Sequence, residues 1–135
     1  MFKCTLALTA ETILRDADTQ RISVINIFEV ITSAAFPMAL PRFSCLFYLA
    51  REEGDPTAVD GFMRISSNGR TVHDLPFHFD FGDQRAGRFV GHVQNLPVGE
   101  PGVLHIAVLD NNMKDIGGWE IQVRQIEPPK LVKDG

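Results

Sequence analysis

Residues 73–83, HDLPFHFDFGD, bring two histidines, three aspartates and three phenylalanines together. Imidazoles and carboxylates are the usual ligands of zinc and the usual carriers of general acid–base chemistry, so a metal-assisted hydrolase is the first chemistry to weigh. In an extended chain Phe77, Phe79 and Phe81 point to one face, while His78 and Asp80 point to the other, about 7 Å apart at their Cα atoms. A shared cation would need a further ligand from a neighbouring strand, with His73, Asp74, Asp83, His92 and His105 as candidates. Metal centres take three or four converging ligands held by supporting partners, and two residues on one strand fall short of that. The favoured reading is a strand whose phenylalanines enter the core beneath a solvated outer face, with no metal and no cofactor. Asp83, after Gly82, reads as a turn residue.

The other chemistry-bearing residues are isolated. His92 shares a strand face with Val90 and Gln94 and points outward; His105, between Leu104 and Ile106, reads as a half-buried structural residue. Ser23, Ser33, Ser44, Ser66 and Ser67 lie in no Gly-x-Ser-x-Gly elbow, and there is no Gly-x-x-x-x-Gly-Lys phosphate loop. The run DNNMKD lacks the central Gly and distal Glu of a calcium loop and reads as a hairpin turn. No catalytic residue is assigned, and the chain is expected not to be an enzyme.

These residues need elements to hold them. The 135 residues suit one domain, and 44% apolar with 22% charged residues can build a packed core. The net charge of −4 and the scattered Lys and Arg argue against nucleic acid, and no apolar run is long enough to span a bilayer as a helix. The start, MFKCTLALTA, alternates like a strand, which a secretion signal has no need to do. Cys4 and Cys45 each sit inside a strand-like run without a Cys-x-x-Cys partner, so reduced thiols in a cytoplasmic protein are expected, with a single bridge between neighbouring strands left open.

Short alternating runs separated by turns recur throughout, which predicts an all-β sandwich of seven to nine strands. The first spans residues 2–14. RISVINIFEVI and FSCLFYLAR are apolar on both faces and read as central strands, while Asn68-Gly69 marks a hairpin over residues 59–75 because both residues tolerate the positive φ of a type I′ turn. Phe2, Leu6, Ile25, Ile27, Phe47, Phe79, Phe89 and Ile106 are the expected core. The sandwich domain is placed at residues 1–127 and a C-terminal tail at 128–135.

The order TLALTAETILRD, RISVINIFEVI, FPMALPRFSCLFYL, LPVGEPGVLHIAVLDN and a last strand ending IQVRQI resembles an uncharacterised family of small bacterial proteins, a domain of unknown function. The resemblance covers nearly the whole chain and implies an immunoglobulin-like β-sandwich and no activity. Where such sequences often place Gly within the second strand, this one has Asn26, which argues against a close backbone approach there.

With catalysis unsupported, the sequence favours a protein-interaction or assembly module acting on itself or another protein, ahead of the hydrolase centred on His78 and Asp80. Two surfaces stand out. Phe36, Met38 and Leu40 lie in a loop whose Pro37 and Pro41 keep it out of a central strand, and it either plugs one end of the sandwich or contacts a partner. Gly117, Gly118 and Trp119 open the last strand. A Gly-Gly pair there suggests a bulge or a close approach, and the strand is expected to lie at a sheet edge where it could recruit another strand, although Trp119 itself reads as core.

Overall fold

The computed structural model describes residues 1–127, so the proposed tail at 128–135 lies outside the described residues. Among the described residues every regular element is a strand, and no helix is long and apolar enough to cross a membrane. Strands β1 (Lys3–Arg15), β2 (Ile22–Ile27), β5 (Phe43–Ala50) and β8 (Ala86–Val93) form one sheet in the order β2-β1-β5-β8. The second sheet is β3-β11-β10-β6-β7, built from β3 (Val30–Ser33), β6 (Ala58–Ser67), β7 (Arg70–Asp80), β10 (Gly102–Asp110) and β11 (Asp115–Gln125). A two-stranded ribbon joins β4 (Met38–Leu40) to β9 (Leu96–Val98). The expected all-β sandwich is therefore present, with eleven strands rather than seven to nine.

One of the extra strands has a local cause. RISVINIFEVI is two strands: Asn26 takes φ 58°, a left-handed conformation that glycine adopts freely and Asn tolerates, and the chain then passes from one sheet to the other. Its first half, β2, pairs only with β1 and is an edge, not the central strand its two apolar faces suggested. Its second half, β3, runs parallel to β11 and pairs with that strand's last four residues, Gln122 to Gln125. The last strand is thereby an internal strand of its sheet, contrary to the expected open edge.

The core between the sheets is apolar and continuous. A row of rings runs through it, Phe77 to Phe89 (centroids 5.0 Å apart), Phe89 to Phe47 (5.8 Å) and Phe47 to Trp119 (5.4 Å), with the two inner rings from the first sheet and the two outer rings from the second. Phe2, Phe47 and Ile106 are buried as expected, and Phe79 and Phe89 are half-buried against the core. Leu6, Ile25 and Ile27 are corrected: all three are exposed. For Leu6 the reason is a register shift between Cys4 and Leu6 that resets which side chains of β1 face inward. For Ile25 and Ile27 it is their place on the outer side of an edge hairpin.

The Asn68-Gly69 hairpin joins β6 to β7 as expected, with φ 49° and 84° at the two turn residues. The Asn68 side chain also accepts from the Val103 amide at 2.9 Å and donates to the Pro101 carbonyl at 3.0 Å, fastening the start of β10. At the DNNMKD turn, buried Asp110 accepts from the amides of Asn112 and Lys114, each at 2.9 Å, which makes it the hairpin turn read from sequence.

Cys4 and Cys45 are both free; on the paired strands β1 and β5, Cys4 faces Leu49 and Cys45 faces Thr9. Burial pushes the Cys45 thiol up to about 12 and also raises Cys4, so little thiolate is present at neutral pH. At mildly alkaline pH, Cys45 of the folded protein should stay unreactive toward a thiol-exchange reagent, while both cysteines react in urea. Prompt labelling of Cys45 in the native state would contradict its placement.

Candidate functional site

His78 and Asp80 do not converge. His78 Nδ1 lies 2.8 Å from Asp60 Oδ1, its cross-strand neighbour on β6, and both side chains are more than 60% exposed. Asp80 Oδ1 instead accepts the Gly82 amide at 2.8 Å, closing the turn that follows the strand. Asp74 is held by Arg64 through two contacts of 2.8 and 3.0 Å; these keep its carboxyl below the usual range. His105 Nε2 stands 3.5 Å from Asp115 Oδ2. Among the described residues no group of three or more His, Cys, Asp or Glu side chains is placed to hold a metal ion. The phenylalanine face of the same strand behaves as expected: Phe77 and Phe81 are buried and Phe79 is half-buried.

One polar pair escaped sequence reasoning. Ser44 on β5 and His92 on β8 are register partners, and Ser44 Oγ lies 2.8 Å from His92 Nδ1. Forty-eight positions separate them, and only the strand pairing, which no local motif signals, brings them together. The pair has the first contact of a nucleophile–base couple. Ser44, however, is only 2% exposed. The adjacent cleft of about 390 Å³ is lined by Glu11, Thr12, Ile13, Pro41, Arg42 and Ser44, and Glu11, its carboxylate, accepts a hydrogen bond from Asn26 at 2.9 Å. Among the described residues no carboxylate is hydrogen-bonded to His92, so nothing orients the ring as a base. A cross-strand hydrogen bond that satisfies a buried hydroxyl accounts for the contact.

The apolar candidates fall mostly inside the molecule. Phe36 and Met38 are half-buried against the core and Leu40 is buried, because β4 pairs with β9 and closes one end of the sandwich. Of the two alternatives left open for this loop, the plug is the one formed. Trp119 packs on Phe47 and its Nε1 donates to Thr9 Oγ1 at 3.4 Å. Gly117 and Gly118 are close-approach positions: a Cβ at Gly117, where φ is 147°, would come within 2.7 Å of the Cys4 Cβ, and one at Gly118 would overlap the Ile106 carbonyl oxygen. The register shift opposite Val108 and Leu109 is the expected bulge. These glycines serve packing between β1, β10 and β11.

The exposed apolar surface lies elsewhere, on the β1–β2 hairpin. The register pairs Ala10 with Ile27, Thr12 with Ile25 and Leu14 with Ser23, so Leu14, Ile25 and Ile27 share one outward face, at 51%, 42% and 56% exposure. The opposite face carries half-buried Ile13, Ile22 and Val24 and turns toward β8. Ile13, Arg15 and Ile22 line one cleft with Arg88, Val90 and His92, and the Arg88 guanidinium donates to the Gln20 carbonyl at the hairpin tip. Leu46, central on β5, is accordingly 2% exposed although it lies outside the inter-sheet core cluster. Sequence alternation showed apolar residues on both faces of β2. It did not carry the side on which the partner strand lies.

No family model matches the chain, and no curated protein matches it in sequence. Among solved structures, the chain is similar to part of a β-glucosidase from Listeria innocua in complex with isofagomine, with a TM-score of 0.47 and 8% identity; the match covers 91% of this chain and 16% of that one. The chain thus spans about a sixth of the length of that protein.

Proposed function

We propose that this protein is a non-enzymatic interaction or assembly module of the cytoplasm that works by docking other protein surfaces. The observation that carries the reading is the β1–β2 hairpin, which holds Leu14 of β1 and Ile25 and Ile27 of β2 out to solvent, with β2 leaving an unpaired edge. An exposed apolar stripe beside free backbone amides and carbonyls is the usual basis of strand addition. The polar pairs support it in their own way: His78 with Asp60, and Ser44 with His92, are each two-membered and spent on cross-strand contacts. Free cysteines suit a reducing compartment, and the net charge of −4 suits a protein partner better than a nucleic acid.

Two measurements on the native system test this. In a gentle extract of its own cells the protein should elute in a complex larger than the 15.0 kDa chain. Purified protein, with and without added zinc or manganese, should show no esterase, phosphatase or glycosidase turnover that His78→Ala, Asp80→Ala or Ser44→Ala abolishes. Elution at the mass of a single chain, or turnover that one of these substitutions removes, would overturn the reading; zinc-dependent turnover lost in His78→Ala would establish the hydrolase instead.

A further inference from the structure

We infer that the cleft between the β1–β2 hairpin and β8 is a binding site for a small amphipathic oxyanion, a carboxylate or phosphate carried on a short aliphatic stem. The inference goes beyond the assembly reading and does not rest on it, since it concerns the inner face of the hairpin and neither its outward stripe nor its edge.

Strand alternation and register assemble the cleft. Arg88, Val90 and His92 fall on one face of β8, beside their partners Tyr48, Leu46 and Ser44 of β5. The hairpin brings Ile13, Arg15 and Ile22 across to them, enclosing about 470 Å³. Small-molecule sites span about 300 to 1,000 Å³. The ionisable lining, Arg15, Arg88 and His92, is wholly basic in a chain of net charge −4. The cleft of about 390 Å³ beside Pro41, by contrast, sets Arg42 with Glu11.

These basic groups are not spent on carboxylates. Neither Arg15 nor Arg88 is in an ion pair among the described residues. Asp16, the chain neighbour of Arg15, accepts the amides of Asp18 and Thr19, each at 2.9 Å, which holds its carboxylate in the hairpin turn. The Arg88 guanidinium donates to the Gln20 carbonyl, which ties the hairpin tip to β8 and leaves most of its five N–H groups for a ligand. Buried Ser44 meets His92 Nδ1 at 2.8 Å. When Ser44 donates in this contact, the neutral imidazole carries its proton on Nε2, which has no hydrogen-bond partner among the described residues and is a donor for an anion. Two guanidiniums and an N–H donor match the oxygens of a carboxylate or phosphate. Ile13, Ile22 and Val90 add apolar wall for the stem. A bare inorganic anion would leave that wall uncovered, and an uncharged alcohol would leave the guanidiniums without a counter-charge.

Calorimetry of the full chain with octanoate, octyl phosphate, inorganic phosphate and octanol tests the site. At least one of the two amphiphiles should bind one per chain with a Kd below about 1 mM, and the tighter of them names the head group. Inorganic phosphate and octanol should each bind at least about tenfold more weakly than it does. Arg15→Gln and Arg88→Gln should each weaken the amphiphile about tenfold. Arg88 also anchors the hairpin tip, so exposed Arg15, whose side chain makes no hydrogen bond among the described residues, keeps the test decisive if Arg88→Gln disturbs the fold. In imidazole nitrogen spectra the ligand should move the Nε2 signal of His92 and leave His73, His78 and His105 in place. That displacement should shrink in Ser44→Ala, which a hydroxyl serving only to satisfy the fold would not cause. No saturable binding of either amphiphile, equal binding of inorganic phosphate or octanol, affinity indifferent to Arg15→Gln, or a His92 signal that ignores the ligand would overturn the inference.

Discussion

Phe47→Ala should lower stability by about 3 to 5 kcal/mol, the largest single-residue loss expected in this protein. Phe47 is 1% exposed and is one of the two inner rings of the row linking both sheets, with Phe89 on one side and Trp119 on the other. Truncation removes the transfer energy of the ring and leaves a cavity bounded by two aromatic neighbours that strand pairing holds in place, so collapse into the space is limited. A domain of this size has about 5 to 15 kcal/mol in total, and at a urea dependence of about 1 to 3 kcal/mol/M the midpoint should fall by more than about 1 M. An unchanged midpoint would remove Phe47 from the core and, with it, the packing of β5 against β11.

Gly118→Ala should cost about 2 to 3 kcal/mol although the substitution adds one methyl group at an exposed position. The added carbon would overlap the Ile106 carbonyl oxygen and sit 3.0 Å from the Ala107 Cα, and neither atom can swing aside as a side-chain tip would. Backbone of β10 and β11 must separate, at the expense of ladder hydrogen bonds between internal strands. Gly99→Ala is the control, since nothing lies within 4 Å of a Cβ there, and it should stay within about 0.5 kcal/mol of the parent. Equal melting temperatures for the two variants would contradict the close approach of β10 to β11.

Local signals in the sequence were reliable where the deciding physics is local. Asn68-Gly69 announces its turn through the φ values it permits, β5 announces its central place by apolar side chains on both faces, and Pro37 and Pro41 keep their loop short-stranded at the end of the sandwich. The failures share a different cause. Strand β2 has the same two-sided apolar pattern as β5 and yet lies at an edge, because the pattern records what could be buried and strand order decides what is. Leu6 was misplaced by a one-residue register shift that period-two counting cannot see. The last strand was misread as an edge because its cover, β3, arises from a break at Asn26 and returns in parallel from far away in sequence. For the candidate site, the outward face of His78 and Asp80 was legible, whereas the partner of His78, Asp60, and the Ser44–His92 pair depend on cross-strand register.

That a pairing-competent edge on the β1–β2 hairpin is where this protein meets its partner is most directly tested by amide hydrogen exchange of residues 22–27 in the purified chain and in the complex recovered from its own cells. Association through this edge predicts that amides of β2 pointing away from β1 exchange more slowly in the complex, while those of internal β5 remain slow and unchanged. Exchange in β2 that is rapid and the same in both samples would contradict the account and move the contact to another surface.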